Sequence, residues 1–181
     1  TPFYGFDHVD LCTMHADLVS GHYEGWLKDR HQDPDSLRGP ANALDKGNIS
    51  TPRAWRTSMP EELYPTTYVA ERACAQIDQM VGGEQPFFLK CSFPDPHAPF
   101  TPPGKYWSMY EPDDMPVSPS FGKGNSPVLD FMRKAHAEGS DLRNGELPFS
   151  VTEREAQEAL ALTYGMISMI DDAVGQILAR L

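Results

Sequence analysis

One histidine stands in a segment where its side chain could do chemistry. His97 lies in a proline-rich stretch, residues 94–99, and Asp95 precedes it by two positions. An imidazole titrates near neutral pH, so His97 could transfer a proton or bind an anion, with Asp95 beside it. A loop histidine that only bonds to neighbouring carbonyls has the same sequence pattern. Position alone favours this plainer interpretation, and a functional role needs further evidence.

The segment before His97 predicts the element that would position it. Residues 87–93 form a mostly apolar run that begins shortly after Gly82 and Gly83 and ends at Pro94. A short apolar run bounded by turn residues is typical of a buried β-strand. Proline supplies no backbone donor, so the residues after the run leave the sheet and stay irregular. We predict a central strand over 87–93 with His97 at its carboxyl end, where open α/β sheets bind ligands.

Helices are predicted on both sides of this strand along the chain. Apolar residues recur at helical spacing over 69–81, and Gly82 follows where left-handed backbone is favoured. Thr152 and Glu155 form a capping box, which predicts the start of a long helix whose apolar residues recur every three or four positions. A helix followed directly by a strand is half of an α/β repeat, so we predict an α/β fold.

Residues 104–150 form a stretch of low periodicity between the strand and the long helix. They are rich in proline and glycine, with one helix predicted over 128–138. A long segment of this kind in a compact domain is usually a functional loop or an insertion. We expect it to be partly disordered or to form a wall that sets specificity.

Composition excludes several classes of partner. The 181 residues include 15 Lys and Arg against 26 Asp and Glu, a net charge of −11, which disfavours binding to nucleic acid and to acidic lipid. No apolar run reaches the roughly twenty residues needed to span a bilayer. Cys12, Cys74 and Cys91 are widely spaced and form no Cys-x-x-Cys pair, so we predict no disulfide framework or zinc site, and we expect Cys74 and Cys91 to be buried.

Three stretches resemble a known family. Residues 87–106 read Phe-Phe-Leu-x-x-Ser-Phe-Pro-Asp-Pro-His-x-Pro-Phe-x-Pro-Pro-x-Lys-Tyr. This pattern resembles the middle-region signature of the sulfatases, members of the alkaline-phosphatase-like superfamily that also contains phosphonate monoester hydrolases. Residues 21–27 and 164–178 are similar to the stretches that lie before and after that signature, in the same order.

The resemblance implies a fold, an activity and roles for two residues. The fold would be an incomplete three-layer α/β/α alkaline-phosphatase-like domain over residues 1–181, with the loop-rich insertion at about 104–150. The activity would be hydrolysis of a small-molecule sulfate ester by a formylglycine nucleophile and a divalent metal ion, Ca²⁺. His97 would lie against the sulfate and its ester oxygen as catalytic and substrate-binding residue, and Asp95 would be a second substrate-binding residue.

The family's nucleophile and metal ligands have no match in this chain. None of the cysteines begins a Cys/Ser-x-Pro/Ala-x-Arg motif, and Ser58 begins one that lacks the arginine. Asp171 and Asp172 fall within the predicted long helix, without the preceding strand that the family's metal-binding aspartates follow. We therefore assign no metal ligand here and expect the chain to be the middle piece of a longer enzyme, inactive alone.

Other interpretations stay open from the sequence. A phosphonate or phosphate ester would suit the same superfamily. A non-catalytic carbohydrate- or protein-binding module could present Trp55, Tyr106, Trp107 and Tyr110 for stacking. An unrelated metalloenzyme could use His8, His15, Asp95 and His97. The compartment, with bacterial cytoplasm and periplasm both open, and assembly as a homo-oligomer are not decided by the sequence.

Overall fold

The computed structural model describes residues 3–83, 85–124, 126–139 and 150–181. This part of the chain forms α1 (His22–Lys28), α2 (Pro65–Met80), α3 (Pro127–Ala137) and α4 (Glu153–Leu178). Strands β1 (Cys12–Thr13) and β2 (Ser20–Gly21) pair in antiparallel fashion, with Cys12 opposite Gly21 and Thr13 opposite Ser20. Short 3₁₀ helices lie at Ala16–Leu18, Pro34–Leu37, Pro40–Asn42, Glu61–Leu63, Gly104–Ser108 and Pro112–Asp114. The predicted mixture of helix and strand is confirmed, although helices predominate.

The central strand predicted over 87–93 is wrong for this structure. These residues form irregular chain, and the Phe88 side chain is 76% exposed. A strand is stabilised by hydrogen bonds to neighbouring strands, and the described residues supply no strand beside this run. Cys91, predicted to be buried, lies in the same segment and is exposed. The apolar run therefore has no neighbouring strand to pair with in the described residues. The three-layer α/β/α arrangement stays a prediction.

Helix α2 confirms the helix predicted before the apolar run. Pro65 occupies its first turn, where a missing amide hydrogen costs nothing, and Gly82 follows its end with a φ of 95°. Tyr68, Ala73 and Ile77 are buried on one side of the helix. A 3₁₀ helix, Glu61–Leu63, precedes it.

Helix α4 begins with the predicted capping box. The Thr152 hydroxyl accepts a hydrogen bond from the Glu155 amide, and the Glu155 carboxylate accepts one from the Thr152 amide. The predicted helix is confirmed, but it packs on α2 and on the 3₁₀ helices Gly104–Ser108 and Pro112–Asp114 rather than on a sheet. Met166 and Met169 are buried, as expected for core residues.

The core lies where α1, α2, α4 and the 3₁₀ helix Gly104–Ser108 meet. Aromatic side chains dominate it, and the Tyr23 hydroxyl donates to the Leu63 carbonyl oxygen at 2.7 Å. Burying large aromatic rings with their hydroxyl groups paired stabilises the packing without leaving a polar group unsatisfied. The buried cluster consists of Val19, Tyr23, Trp26, Leu27, Met59, Tyr64, Tyr68, Tyr106 and Met169.

The segment predicted as an insertion contains one described helix. Helix α3 matches the helix predicted there, and the Ser126 side chain caps it by accepting from the Leu129 amide. Residues 140–149 of the segment lie outside the described residues, so the insertion stays a prediction.

Among the residues that the structure describes, no helix is both long and apolar enough to cross a membrane.

Candidate functional site

His97 lies on an exposed loop that is hydrogen-bonded to a second segment of the chain. The Phe100 amide donates to the Arg53 carbonyl oxygen at 2.8 Å, and Ala54 and Phe100 form a single parallel bridge. The His97 ring is exposed, and its Nδ1 atom bonds to the Ala98 carbonyl oxygen. Because a carbonyl can only accept, Nδ1 carries the hydrogen of this bond. The second nitrogen, Nε2, is thereby the one left for a ligand.

His15 stacks on His97. The ring centroids are 3.7 Å apart and the ring planes differ by 13°. His15 lies on a turn whose neighbours, Met14 and Ala16, both have left-handed backbone, with φ of 65° and 56°. Residues other than glycine adopt this conformation at a cost, and such residues cluster at functional sites. The metalloenzyme hypothesis grouped His15 with His97, but no local spacing predicts that their rings stack, because they are far apart in the chain and the fold brings them together.

The pKa of His15 lies below its usual value. Partial removal from water is the first cause, the charge of His97 the second, and the charge of Arg53 a further one, while the Pro94 carbonyl acts in the opposite direction. Arg53 is itself held with left-handed backbone, at a φ of 56°, and its Nη2 atom donates to the Ala98 carbonyl oxygen at 3.4 Å. The side chains of His15, His97 and Arg53 therefore all lie on or against the 94–100 loop.

Asp95 is buried beneath this loop, with 6% of its surface exposed. Removal from water raises its pKa to about 6, although the Tyr64 hydroxyl, the Ala16 amide and the charge of His97 act to lower it. Neither carboxylate oxygen has a well-aligned hydrogen bond within the protein. Asp95 thus lies close to His97 but below the surface, and its contact with substrate stays a prediction.

A second buried carboxylate, Asp17, joins the two segments that flank the histidine pair. It lies two residues after His15 and is fully buried. Its Oδ2 atom accepts hydrogen bonds from the Thr57 hydroxyl at 2.6 Å and the Trp55 indole at 2.9 Å. Removal from water raises the pKa of Asp17, and these bonds oppose that rise. The network fixes the His15 turn against the segment that carries Arg53.

A divalent metal ion does not fit the residues described. Across residues 3–83, 85–124, 126–139 and 150–181, no three His, Cys, Asp or Glu side chains are placed to hold one. His8 bonds to Asp10, and Asp172 accepts from the Tyr106 hydroxyl. The metalloenzyme that would use His8 with His15 therefore gains no support. The predicted Ca²⁺, with ligands outside this chain, stays a prediction.

The aromatic residues proposed for a binding module are partly used inside the protein. Tyr106 is buried in the core, and Tyr110 packs edge-on against Tyr164 with its hydroxyl bonded to Ser168. With the Trp55 indole bonded to Asp17, three of the four side chains make contacts inside the protein. A cavity of about 310 Å³ lies between α2 and α4, and its acidic lining of Glu61, Glu62 and Asp172 does not include His97.

Comparison with known proteins connects this chain to one superfamily. It is 29% identical over 153 residues to the multifunctional alkaline phosphatase superfamily protein PehA of Trinickia caryophylli. It is 31% identical over 121 residues to an arylsulfatase of Clostridium perfringens. The resemblance to the sulfatases is confirmed. Iduronate 2-sulfatase of Homo sapiens matches this sulfatase-like chain at 24% identity over 158 residues.

The matches cover most of this chain but little of each relative. They include 76%, 67% and 84% of the chain and only 28%, 23% and 28% of the respective relatives. The sulfatase-like chain therefore spans about a quarter of the length of the curated relatives it matches. No family model matches it.

Proposed function

We propose that the protein containing this chain hydrolyses sulfate esters and that His97 contacts the ester group. The observation that carries the proposal is the exposed His97 ring, which stacks on His15 and lies on a loop that Arg53 also contacts, in a chain of net charge −11. One guanidinium and two imidazoles with N–H donors at one exposed loop of an acidic protein favour an anionic ligand. The similarity to an arylsulfatase and to an iduronate 2-sulfatase supports a sulfate ester as that ligand.

The chemistry proposed for His97 follows from its hydrogen bond. Cleavage of a sulfate ester leaves negative charge on the oxygen of the departing alcohol, which a proton donor neutralises. In the protonated ring, the Ala98 carbonyl holds the Nδ1 hydrogen and the Nε2 hydrogen can be donated to that oxygen. The stacked His15 ring restricts rotation of His97, so the donor is positioned before substrate binds.

The remaining machinery is proposed to come from polypeptide beyond this chain. The resemblance implies a formylglycine nucleophile and a divalent metal ion, Ca²⁺, and the sequence contains no Cys/Ser-x-Pro/Ala-x-Arg motif. The chain spans about a quarter of its relatives, which is consistent with a partial catalytic domain. We expect the isolated chain to be inactive, and metal-dependent turnover of an aryl sulfate by residues 1–181 would contradict this.

The test compares His97 variants of the full-length protein. We expect His97→Ala to lower kcat/KM for p-nitrophenyl sulfate by roughly 10²- to 10⁴-fold, the usual contribution of a general acid. His31→Ala is the matched control, since His31 bonds locally to the Asp33 amide. If His97→Ala kept the activity of the unmodified protein, His97 would have no part in the reaction.

A second candidate is hydrolysis of a phosphonate or phosphate ester. The similarity to a multifunctional alkaline phosphatase superfamily protein supports it. Measuring kcat/KM for p-nitrophenyl phenylphosphonate beside the sulfate separates the two. A higher value for the phosphonate would replace the sulfate ester as the proposed substrate without changing the role of His97.

A further inference from the structure

We propose that His15 and Arg53 form, together with His97, one preorganised site for a tetrahedral oxyanion. This inference deepens the proposed function and rests on it for the identity of the substrate. Binding of the anion, however, can be measured without turnover. Arg53 would therefore be a binding residue that the sequence pattern did not indicate, and His15 one that it indicated only as a metal ligand.

The first argument is geometric. The two imidazole rings lie 3.7 Å apart and nearly parallel, so N–H donors on the same edge of the two rings would meet neighbouring oxygens of one small anion. Arg53 reaches the same loop, because its guanidinium donates to the Ala98 carbonyl oxygen that also accepts from His97. A guanidinium has five N–H donors, so this bond leaves others for a ligand.

The second argument concerns charge. Two imidazoles and a guanidinium at one loop repel each other when protonated, and this repulsion adds to the effect of burial in lowering the pKa of His15. An anion between them would replace the repulsion with attraction. Asp95 and Asp17 are buried acidic groups near the loop, and both would oppose an anion when ionised; the positive charges of His97 and Arg53 would act in its favour.

The third argument concerns the orientation of the His15 ring. The Nδ1 atom of His15 is buried and has no well-aligned hydrogen bond, although the Pro94 carbonyl lies near the ring. Buried polar atoms in folded proteins are usually paired, so an atom of this kind calls for an explanation. The Pro94 carbonyl beside the ring is the nearest acceptor for this atom, which leaves Nε2 as the His15 nitrogen that an anion would contact.

The fourth argument is that the site is held in place before a ligand arrives. Asp17 bonds to Trp55 and Thr57, which fixes the His15 turn against the segment of Arg53. The Phe100 amide then fixes that segment against the His97 loop. Preorganised groups lose little conformational entropy on binding, so more of the interaction energy appears as affinity.

The test is a titration of the 181-residue chain with inorganic sulfate, followed by NMR of ¹⁵N-labelled histidine rings. We expect the His15 and His97 signals to move together with one dissociation constant. His15→Phe keeps a ring to stack on His97 but removes both nitrogens, and we expect about tenfold weaker binding. Arg53→Gln should weaken binding by a similar factor. His31→Phe is the matched control and should leave the affinity unchanged.

Parallel titrations with phosphate and chloride identify what is recognised. Equal binding of sulfate and phosphate supports a site for tetrahedral oxyanions in general. An equal response to chloride would overturn the inference, because it would reflect ionic strength alone. Backbone amide spectra of each variant confirm that the fold is kept. If His15→Phe misfolds, His15→Gln gives the same comparison.

The outcome separates this inference from the proposed function. Suppose that sulfate moves only the His97 signals and that His15→Phe binds as well as the unmodified chain. The role of His15 in binding would then be refuted, while sulfate ester hydrolysis would stand. If all three residues bind sulfate but the full-length protein cleaves no sulfate ester, the anion site stands and the proposed reaction fails.

Discussion

Replacing Asp95 by asparagine should change how the stability of the protein depends on pH. Burial raises the pKa of Asp95 to about 6 from an ordinary value of 3.8. The folded protein therefore holds this proton more strongly than the unfolded chain does. Stability from this proton is fully present below about pH 4 and is lost as the pH rises through about 6. An asparagine side chain cannot ionise, so the Asp95→Asn protein should lack this loss.

The size of the effect follows from the two pKa values. They differ by about 2 pH units, and each unit corresponds to roughly 1.4 kcal/mol, so ionisation of Asp95 costs the folded state about 3 kcal/mol. The buried amide of asparagine adds a cost of roughly 1–3 kcal/mol that does not depend on pH. The difference in unfolding free energy between the two proteins should therefore change by about 3 kcal/mol, in favour of Asp95→Asn, between pH 4 and pH 8.

Urea unfolding followed by circular dichroism measures this difference. Curves for both proteins at half-unit steps from pH 4 to pH 8 give the free energy of unfolding and its slope with pH. Asp114→Asn is the matched control, because Asp114 is exposed. The difference in unfolding free energy between this variant and the unmodified protein should not change with pH. A flat difference for Asp95→Asn as well would show that Asp95 is already solvated, and the reasoning from its burial would be refuted.

Two further pairs of substitutions test the packing that supports the site. Glu158 is 1% exposed, and its carboxylate accepts hydrogen bonds from two loop amides and from the Arg154 guanidinium. Glu158→Gln should therefore lower the free energy of unfolding in urea by roughly 2–4 kcal/mol. Arg154→Met removes a partner that is nearly half exposed and should cost much less; equal costs would contradict this account. Gly165→Ala would place a Cβ atom 2.2 Å from the Tyr106 carbonyl oxygen and should cost roughly 1–3 kcal/mol in thermal unfolding. Gly175→Ala meets nothing within 4 Å and should instead stabilise α4 by roughly 0.5–1 kcal/mol, so a loss there would show that contact with Tyr106 is not the cause.

The helices could be predicted from the amino-acid sequence, because their signals lie within a few residues of one another. The capping box joins Thr152 and Glu155 inside a single turn, and Gly82 takes the left-handed backbone that ends α2. The sulfatase-like pattern around His97 also lies in one continuous stretch, so the resemblance could be recognised from the sequence, and comparison with known proteins confirmed the resemblance to the sulfatases.

Which distant groups meet became visible only in the folded chain. The apolar run over 87–93 has the composition of a strand, but a strand also requires a paired neighbour, and composition does not supply one. The stacking of His15 on His97, the approach of Arg53 and the burial of Asp95 depend on contacts between separate segments. Such contacts form when the core brings remote residues together, and no local spacing in the sequence encodes them.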